Sequence, residues 1–318
     1  MTLPRLIVIL GAFCVALVPL TGAVFYMQLL SKIMILAIFA MSLDLLVGYA
    51  GLVSLGHAAF FGVAGYAVAL LSPKYQAASL WLTLPAAMII SAALALLIGL
   101  LVLRTSGIYF IMVTLAFGQM LYYLFHDTKL GGGSDGIYLY VKPELNFAGT
   151  KLLDLEKPWQ FYYFVFAIMV AVYFLLRRIL VSPFGRALAG LSVNEPRMRS
   201  LGFPAFSYKL GAFVLSGMLA GLAGYLSACQ FGFVNPEILS WHYSATVLIM
   251  LIFGGIGRLY GAILGAFAYV LLQELLASQA LLGALAKHWQ LGMGVLILLV
   301  VLLLPSGLAS FFTQVPDD

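Results

Sequence analysis

Long apolar runs separated by short polar breaks occupy almost the whole chain. A helix needs about 20 apolar residues to cross the hydrocarbon core of a bilayer. That ruler predicts ten segments: Leu6–Gly22, Met27–Val47, His57–Leu71, Leu80–Leu103, Ile108–Phe125, Phe161–Leu180, Pro204–Gln230, Trp241–Gly255, Gly261–Ala277 and Leu291–Leu304. The third and eighth are short, and their flanks, Gly48–Gly56 and Gly254–Gly257, are rich in glycine. Such flanks are expected of discontinuous helices that unwind beside a buried pathway and not against lipid. The pattern predicts an all-α fold, a polytopic membrane helical bundle of about ten spans including short or discontinuous helices, as a single transmembrane domain over residues 1–318.

One polar island interrupts the runs, Pro183–Gly202, with the sequence PFGRALAGLSVNEPRMRSLG. Arg177, Arg178, Arg186, Arg197 and Arg199 place five of the chain's sixteen Lys and Arg residues in or just before it, as a cytoplasmic loop requires. The island also has helix grammar. Ser182 is placed to cap, Pro183 fits a first helical position, and Asn194 with Glu195 and Pro196 can restart a second short helix that Gly202 stops. One reading is a structured helical loop that is more than a tether; the other is a topology signal and nothing more.

Composition supports the membrane reading. Hydrophobic residues make up 64% of the 318 and charged residues 8%, with a mean hydropathy of +1.10, whereas a water-soluble domain carries about 25% charged residues. The net charge of +5 follows from Lys and Arg gathered on cytoplasmic loops, so nucleic acid is not needed as a partner. Cys14 and Cys229 lie in different apolar segments with no metal spacing and read as packing residues. Arg5 before the run Leu6–Leu20 resembles a signal peptide, but no small-x-small cleavage site follows and Phe13 before Cys14 argues against lipid attachment. The run is expected to be the first span.

With the Arg177–Arg199 loop inside, Arg5, Arg104 and Arg258 also fall at cytoplasmic ends, and the mixed-charge stretch 127–158 falls outside, with Lys74 and Lys287 as exceptions. That outer stretch opens with Gly131-Gly-Gly-Ser134-Asp135-Gly136, which reads as too flexible for a helix, and serves either as a solvated connector or as a docking surface for an extracytoplasmic binding protein. A short repeat, Gly62-Val-Ala-Gly65-Tyr66 and Gly221-Leu-Ala-Gly224-Tyr225, recurs at half the chain length. Its copies fall on the third and seventh segments, which run in the same direction on this topology.

No catalytic constellation appears. There is no Walker A sequence, Gly255-Ile-Gly257 lacks the third glycine of a dinucleotide fingerprint, and His57, His126, His242 and His288 share no metal spacing. What remains are polar groups at membrane depth. A charge near the bilayer centre costs at least about 2.5–3.5 kcal/mol, so Asp44 and Glu274 are expected to face water or the protein interior, as pathway residues or as groups hydrated near the ends of their spans. Ser54 and His57 in the first glycine-rich break, and Thr114 with Gln119 about one helical turn apart, are able to hydrogen-bond a passing substrate or a neighbouring helix.

Several of these stretches together resemble the branched-chain amino acid permease family of ABC importers. Gly185-Arg186-Ala187-Leu188, Asn194-Glu195 and Leu201-Gly202 resemble its cytoplasmic coupling loop, and Gly48-Tyr-Ala-Gly51, Ser54-Leu-Gly56-His57, Thr114-Leu-Ala-Phe117-Gly118-Gln119 and Gly254-Gly-Ile-Gly257 resemble its membrane motifs. Asp44 replaces a customary Asn and Arg258 a customary Thr. The resemblance implies a non-enzymatic permease subunit in the bacterial inner membrane, paired with a second homologous permease. Two cytoplasmic ATPases would hydrolyse the ATP, and an extracytoplasmic binding protein would deliver a branched-chain or related hydrophobic amino acid. No cofactor of its own is implied. Arg186, Asn194, Glu195 and Gly202 are the expected ATPase-coupling residues, and Asp44, Ser54, His57, Thr114, Gln119 and Glu274 the expected pathway residues. Two further readings stay open: the same importer class carrying urea, short amides or aromatic acids, and a proton-coupled secondary transporter using Asp44, His57 or Glu274 as a relay.

Ten spans and the distribution of positive charge place both termini in the cytoplasm. Reporter fusions at the Arg5 and Asp318 ends are expected to report the same, inner face; opposite faces would overturn the count.

Overall fold

The computed structural model describes residues 18–147, 150–279, 283–304 and 307–312. The expected first span, Leu6–Gly22, lies almost wholly outside the described residues, as do Arg5, Cys14 and Asp318. The other nine expected segments each fall on a helix: α1 (Val24–Asp44), α2 (Ala58–Leu71), α3 (Leu80–Val102), α4 (Ile108–Asp127), α5 (Pro158–Val181), then, after α6 (Pro183–Val193) and α7 (Glu195–Ser200), α8 (Ala205–Phe231), α9 (Trp241–Gly254), α10 (Leu259–Ala277) and α11 (Trp289–Leu303). Among the described residues, α1 with its extension to Tyr49, α3, α4, α5, α8 and α10 are long and apolar enough to cross a membrane.

Two helices form the axis of the bundle. The most apolar stretches of α1 and α8 are 83% buried, against 22–33% for the other long helices. A helix that is apolar all round and also buried all round is a core helix, and the half-exposed helices around it present leucines outwards. Helix α3 shows the division. Thr83, Ala87, Ser91 and Ala95 recur every fourth residue and are buried, while Leu82, Ile89, Leu97 and Leu101 are exposed. Lipid tails are as apolar as leucine, so the hydrophobic effect does not drive helix to helix inside a bilayer; small residues that permit close backbone approach do.

The internal repeat and the glycine before it are places of such close approach. A Cβ built on Gly217 would lie 3.4 Å from the Phe60 ring, and one on Gly221 3.4 Å from the Ala64 Cβ. Both positions advance by four residues, so α2 and α8 run in the same direction with their glycine faces together, as the topology predicted. Gly224 sits directly against the Phe61 carbonyl oxygen, and Tyr66 and Tyr225 are both fully buried. Hydrogen bonds join the same helices to α3: Thr83 Oγ1 and the Tyr225 hydroxyl are 2.8 Å apart, and Ser91 Oγ donates to the Phe60 carbonyl at 3.1 Å.

The stretch 127–158 is more ordered than its glycines suggest. Gly132, Gly133 and Gly136 take positive φ, which lets two 3₁₀ turns form, Lys129–Gly131 and Gly133–Asp135. Next comes β1 (Ile137–Tyr138), antiparallel to β4 (Phe233–Val234), with Ile137 opposite Val234. A hairpin of β2 (Glu144–Phe147) and β3 (Thr150–Asp154) follows. The glycine run, expected to be too flexible for a helix, forms these two short 3₁₀ turns and no α-helix, and the β1–β4 ladder ties it to the end of α8.

Substituting Gly224→Ala drives a methyl into the Phe61 carbonyl and is expected to cost roughly 1–3 kcal/mol, as overpacking does. Thermal unfolding in detergent reads this out, with Gly294→Ala as control, since a Cβ there meets nothing within 4 Å. Equal melting temperatures for the two variants would refute the close approach.

Candidate functional site

Two interruptions in the helices meet near the centre of the bundle. Helix α1 widens after Asp44 into a π-helical turn, Leu45–Tyr49, and residues 50–57 then run largely without helix to α2. The second interruption is the turn between α9 and α10, where Gly255 and Gly257 have φ of 105° and 78°. A Cβ on Gly48 would fall 2.5 Å from both the Cα and the N of Gly257, so the crossing exists because neither residue has a side chain. Across it, Asp44 Oδ1 accepts the Gly257 backbone N–H at 2.8 Å. Asp44 is fully buried, and its Oδ2 has no hydrogen-bond partner among the described residues. The carboxylate thus serves the backbone of the opposite break, not open water at a helix end.

The first break carries Ser54 and His57, two of the other polar groups predicted for the pathway, and meets a third, Thr114; all three are buried. Ser42 Oγ donates to the Phe39 carbonyl at 2.7 Å, so it accepts from His57 Nε2, 3.0 Å away. That puts the imidazole proton on Nε2 and leaves Nδ1 without a partner among the described residues. Ser216 Oγ, from α8, donates to the Ser42 carbonyl and lies 3.4 Å from the same Nε2. The Phe39 ring stacks on the imidazole at 5.4 Å. Ser244 Oγ, from α9, accepts the Ala58 N–H at 2.8 Å, and Thr114 Oγ1, from α4, accepts the Leu55 N–H at 3.3 Å. Ser54 Oγ is buried without a partner among the described residues. Asp44, His57 and Thr114 therefore answer polar groups of neighbouring segments, and Ser54 is enclosed among them.

Gln119 goes elsewhere. At 3.6 residues per turn, five residues carry it about 140° round α4 from Thr114, and it lines a cavity of about 590 Å³. The other polar walls are Asn235 and Glu237 from the 3₁₀ turn Pro236–Leu239 and its cap, and Trp241, His242 and Thr246 from α9. Glu274 is half-buried near the end of α10 and does not line this cavity. Sequence reasoning missed Asn235 and Glu237, which occupy a polar gap between two apolar runs. It also missed Lys32, whose signal was plain: a cation inside the run Met27–Val47, of the kind that singled out Asp44.

The island 183–202 folds as its caps predict. Ser182 Oγ accepts the Gly185 N–H at 3.4 Å to start α6, Asn194 Oδ1 accepts the Arg197 N–H at 3.0 Å to start α7, and Gly202 closes the segment at φ 88°. Glu195 bonds Arg199 on its own helix and Lys209 on α8, each at 2.5 Å. The Lys209 contact, with Arg199 adding to it, holds the Glu195 carboxyl below its ordinary pKa. Arg186 is exposed, with no carboxylate within 4.0 Å among the described residues. The island also touches the first break. Ser192 Cβ would lie 3.3 Å from a Cβ on Gly51, and a cavity of about 240 Å³ separates Ala50, Gly51 and Leu52 from Leu191, Glu195 and Lys209.

Over residues 25–305 the chain matches the family described as branched-chain amino acid transport system / permease component. It is 34% identical over 294 residues to the high-affinity branched-chain amino acid transport system permease protein LivM of Salmonella typhimurium, an overlap of 86% of this chain and 68% of that one. LivM of Escherichia coli is 33% identical over the same shares. A shorter likeness, 37% over 108 residues, links 32% of the chain to 30% of the autoinducer 2 import system permease protein LsrC of Klebsiella pneumoniae. No solved structure matches.

If the Asp44 carboxyl oxygen is what satisfies the Gly257 amide, Asp44→Asn keeps an acceptor and is expected to stay within about 1 kcal/mol of the parent. Asp44→Ala leaves a buried N–H bare and is expected to cost about 1–3 kcal/mol. Thermal unfolding in detergent separates them, and equal losses would count against the contact.

Proposed function

Because the chain belongs to the family of permease components of branched-chain amino acid transport systems, we propose that it is the multi-pass inner-membrane subunit of an ATP-driven importer for branched-chain or related hydrophobic amino acids. In this reading it pairs with a second homologous permease. Two cytoplasmic ATPases hydrolyse the ATP, so the chain needs no cofactor of its own, and a binding protein docks on the outer side, where the ordered stretch 127–158 lies. Both termini are cytoplasmic.

The observation that carries the proposal is the contact between the capped helical island and the first break. A loop that only marks topology has no need of two capped helices or of a carboxylate tied to α8. Here α6 and α7 would sit in a cleft of an ATPase. A displacement of α6 meets the chain at Gly51, next to the π turn that leads back to Asp44 and, through it, to the second break. Glu195 in this scheme is a fastener, since its oxygens are engaged by Arg199 and Lys209, and Arg186 is the free charge for an ATPase. The fastening is present above the ordinary carboxylate pKa and is lost as pH falls through the lowered value, so it holds at neutral pH.

Uptake of leucine by the assembled importer in vesicles is the test of the class. It should require ATP inside and binding protein outside; uptake that follows a proton gradient without either would overturn the proposal.

Glu195→Lys sets a cation against Lys209 and Arg199 and is expected to leave the protein in the membrane while abolishing uptake and weakening ATPase co-purification. Arg186→Ala should act in the same direction more mildly, because a single exposed charge is partly screened by salt. Wild-type uptake with Glu195→Lys and the ATPase still bound would reduce the island to a topology signal.

A further inference from the structure

Lys32 stands eight residues after the first residue of α1, about 12 Å along the helix axis, on one of the two most buried helices of the bundle. It is half-buried and has no carboxylate within 4.0 Å among the described residues. An ionisable side chain within a spanning helix is costly to place there and is a functional residue unless a partner explains it. Lys32 lines a cavity of about 420 Å³, inside the range of small-molecule pockets, roughly 300–1,000 Å³.

The walls of this cavity describe its ligand. Ile35 and Leu36 from α1, with Phe231 and Phe233 at the end of α8, supply apolar surface; Gln230 and Asn235 supply amides. Gln230 is held in place by donating Nε2 to the Gln28 carbonyl at 2.7 Å, and its Oε1 is buried without a partner among the described residues. One ammonium, neighbouring amides, Ser227 and Tyr243 in a mainly apolar lining suit a small molecule with one carboxylate and an apolar body. The cavity shares Asn235, Ile238 and Tyr243 with the larger cavity that Glu237 lines. An apolar amino acid brings a carboxylate for the ammonium, an ammonium for the amide oxygens and a hydrocarbon side chain for the apolar walls.

We propose that the Lys32 cavity is a binding site for an apolar amino acid, with Lys32 pairing its carboxylate and the Ile35, Leu36, Phe231 and Phe233 surface taking its side chain. The inference rests on the transport reading above and adds the place in the chain where the cargo is held. It is a site on the permease itself, distinct from any site on a binding protein.

The test uses the purified assembled importer without binding protein, and reads the rise in melting temperature with leucine, leucinamide or 4-methylpentanoate at equal millimolar concentration. A ligand that binds only the folded form raises the melting temperature. Leucine should stabilise the parent and leucinamide, which lacks the carboxylate, should not. Lys32→Met should abolish the leucine shift while its ligand-free melting temperature stays close to the parent's, and Lys32→Arg should keep most of the shift. In vesicles with binding protein and ATP, Lys32→Met should lower leucine uptake at least tenfold at equal membrane abundance. A full leucine shift in Lys32→Met, or leucinamide acting as well as leucine, would overturn the inference and leave Lys32 as a side chain reaching for the membrane surface. Stabilisation by 4-methylpentanoate but not by leucine would make the occupant a lipid-like acid and would also overturn it. Failure of the parent itself to take up leucine would instead remove the transport reading on which the inference stands.

Discussion

A single hydrogen bond, from the Gly257 amide to the Asp44 carboxylate, lets two interruptions share one place in the bundle. Backbone inside a bilayer has no water to fall back on, and each bare N–H or C=O costs several kcal/mol. A helix answers this by pairing its own groups, so wherever a helix stops, something else must take over. At the first break the substitutes are side chains: Thr114 for the Leu55 amide and Ser244 for the Ala58 amide. At the second, Asp44 does it from across the crossing. The Gly48–Gly257 contact sets the distance, because a side chain on Gly48 would push the two segments apart and the carboxylate would no longer reach.

Around that crossing, close packing of small residues outweighs polar attraction. Hydrogen bonds between membrane helices average about 0.6 kcal/mol, and pairs such as Thr83 with Tyr225 or Ser216 with Ser42 are few beside the continuous contact of α3 and α2 with α8. The contribution of the serines and of His57 is better seen as fixing register. His57 has one orientation that satisfies Ser42, lies near Ser216 and stacks on Phe39, so α1, α2 and α8 dock in one way out of several that their small residues would allow.

Hydropathy made the helices legible, because an apolar run of 15–25 residues has one economical structure in lipid. The caps at Ser182 and Asn194 were legible too, since they depend on neighbours three residues away. The repeat could be seen in the sequence, but not that its copies face one another; that is a three-dimensional consequence of glycine placed every third or fourth residue. Of the candidate pathway residues, polarity at depth singled out Asp44, His57 and Thr114, yet it could not say whether each turns to a neighbour or to a cavity. Gln119 faces a cavity only because 140° of helical rotation separates it from Thr114. Lys32, Asn235 and Glu237 become a set only when the end of α8 and the turn after it fold beside α1.

The parallel docking of α2 on α8 also sets a timetable for synthesis. Helix α2 has 14 residues, about 21 Å of helix against a hydrocarbon core of about 30 Å, and the glycine face that receives it belongs to a segment made roughly 150 residues later. At about 5–20 residues per second the short helix waits on the order of 10–30 s for its partner. Phe39 of α1, Ser91 of α3 and Phe125 of α4 cover Phe61, the Phe60 carbonyl and Tyr66 well before that, so what stays open longest on α2 is the face that meets Gly217, Gly221 and Gly224.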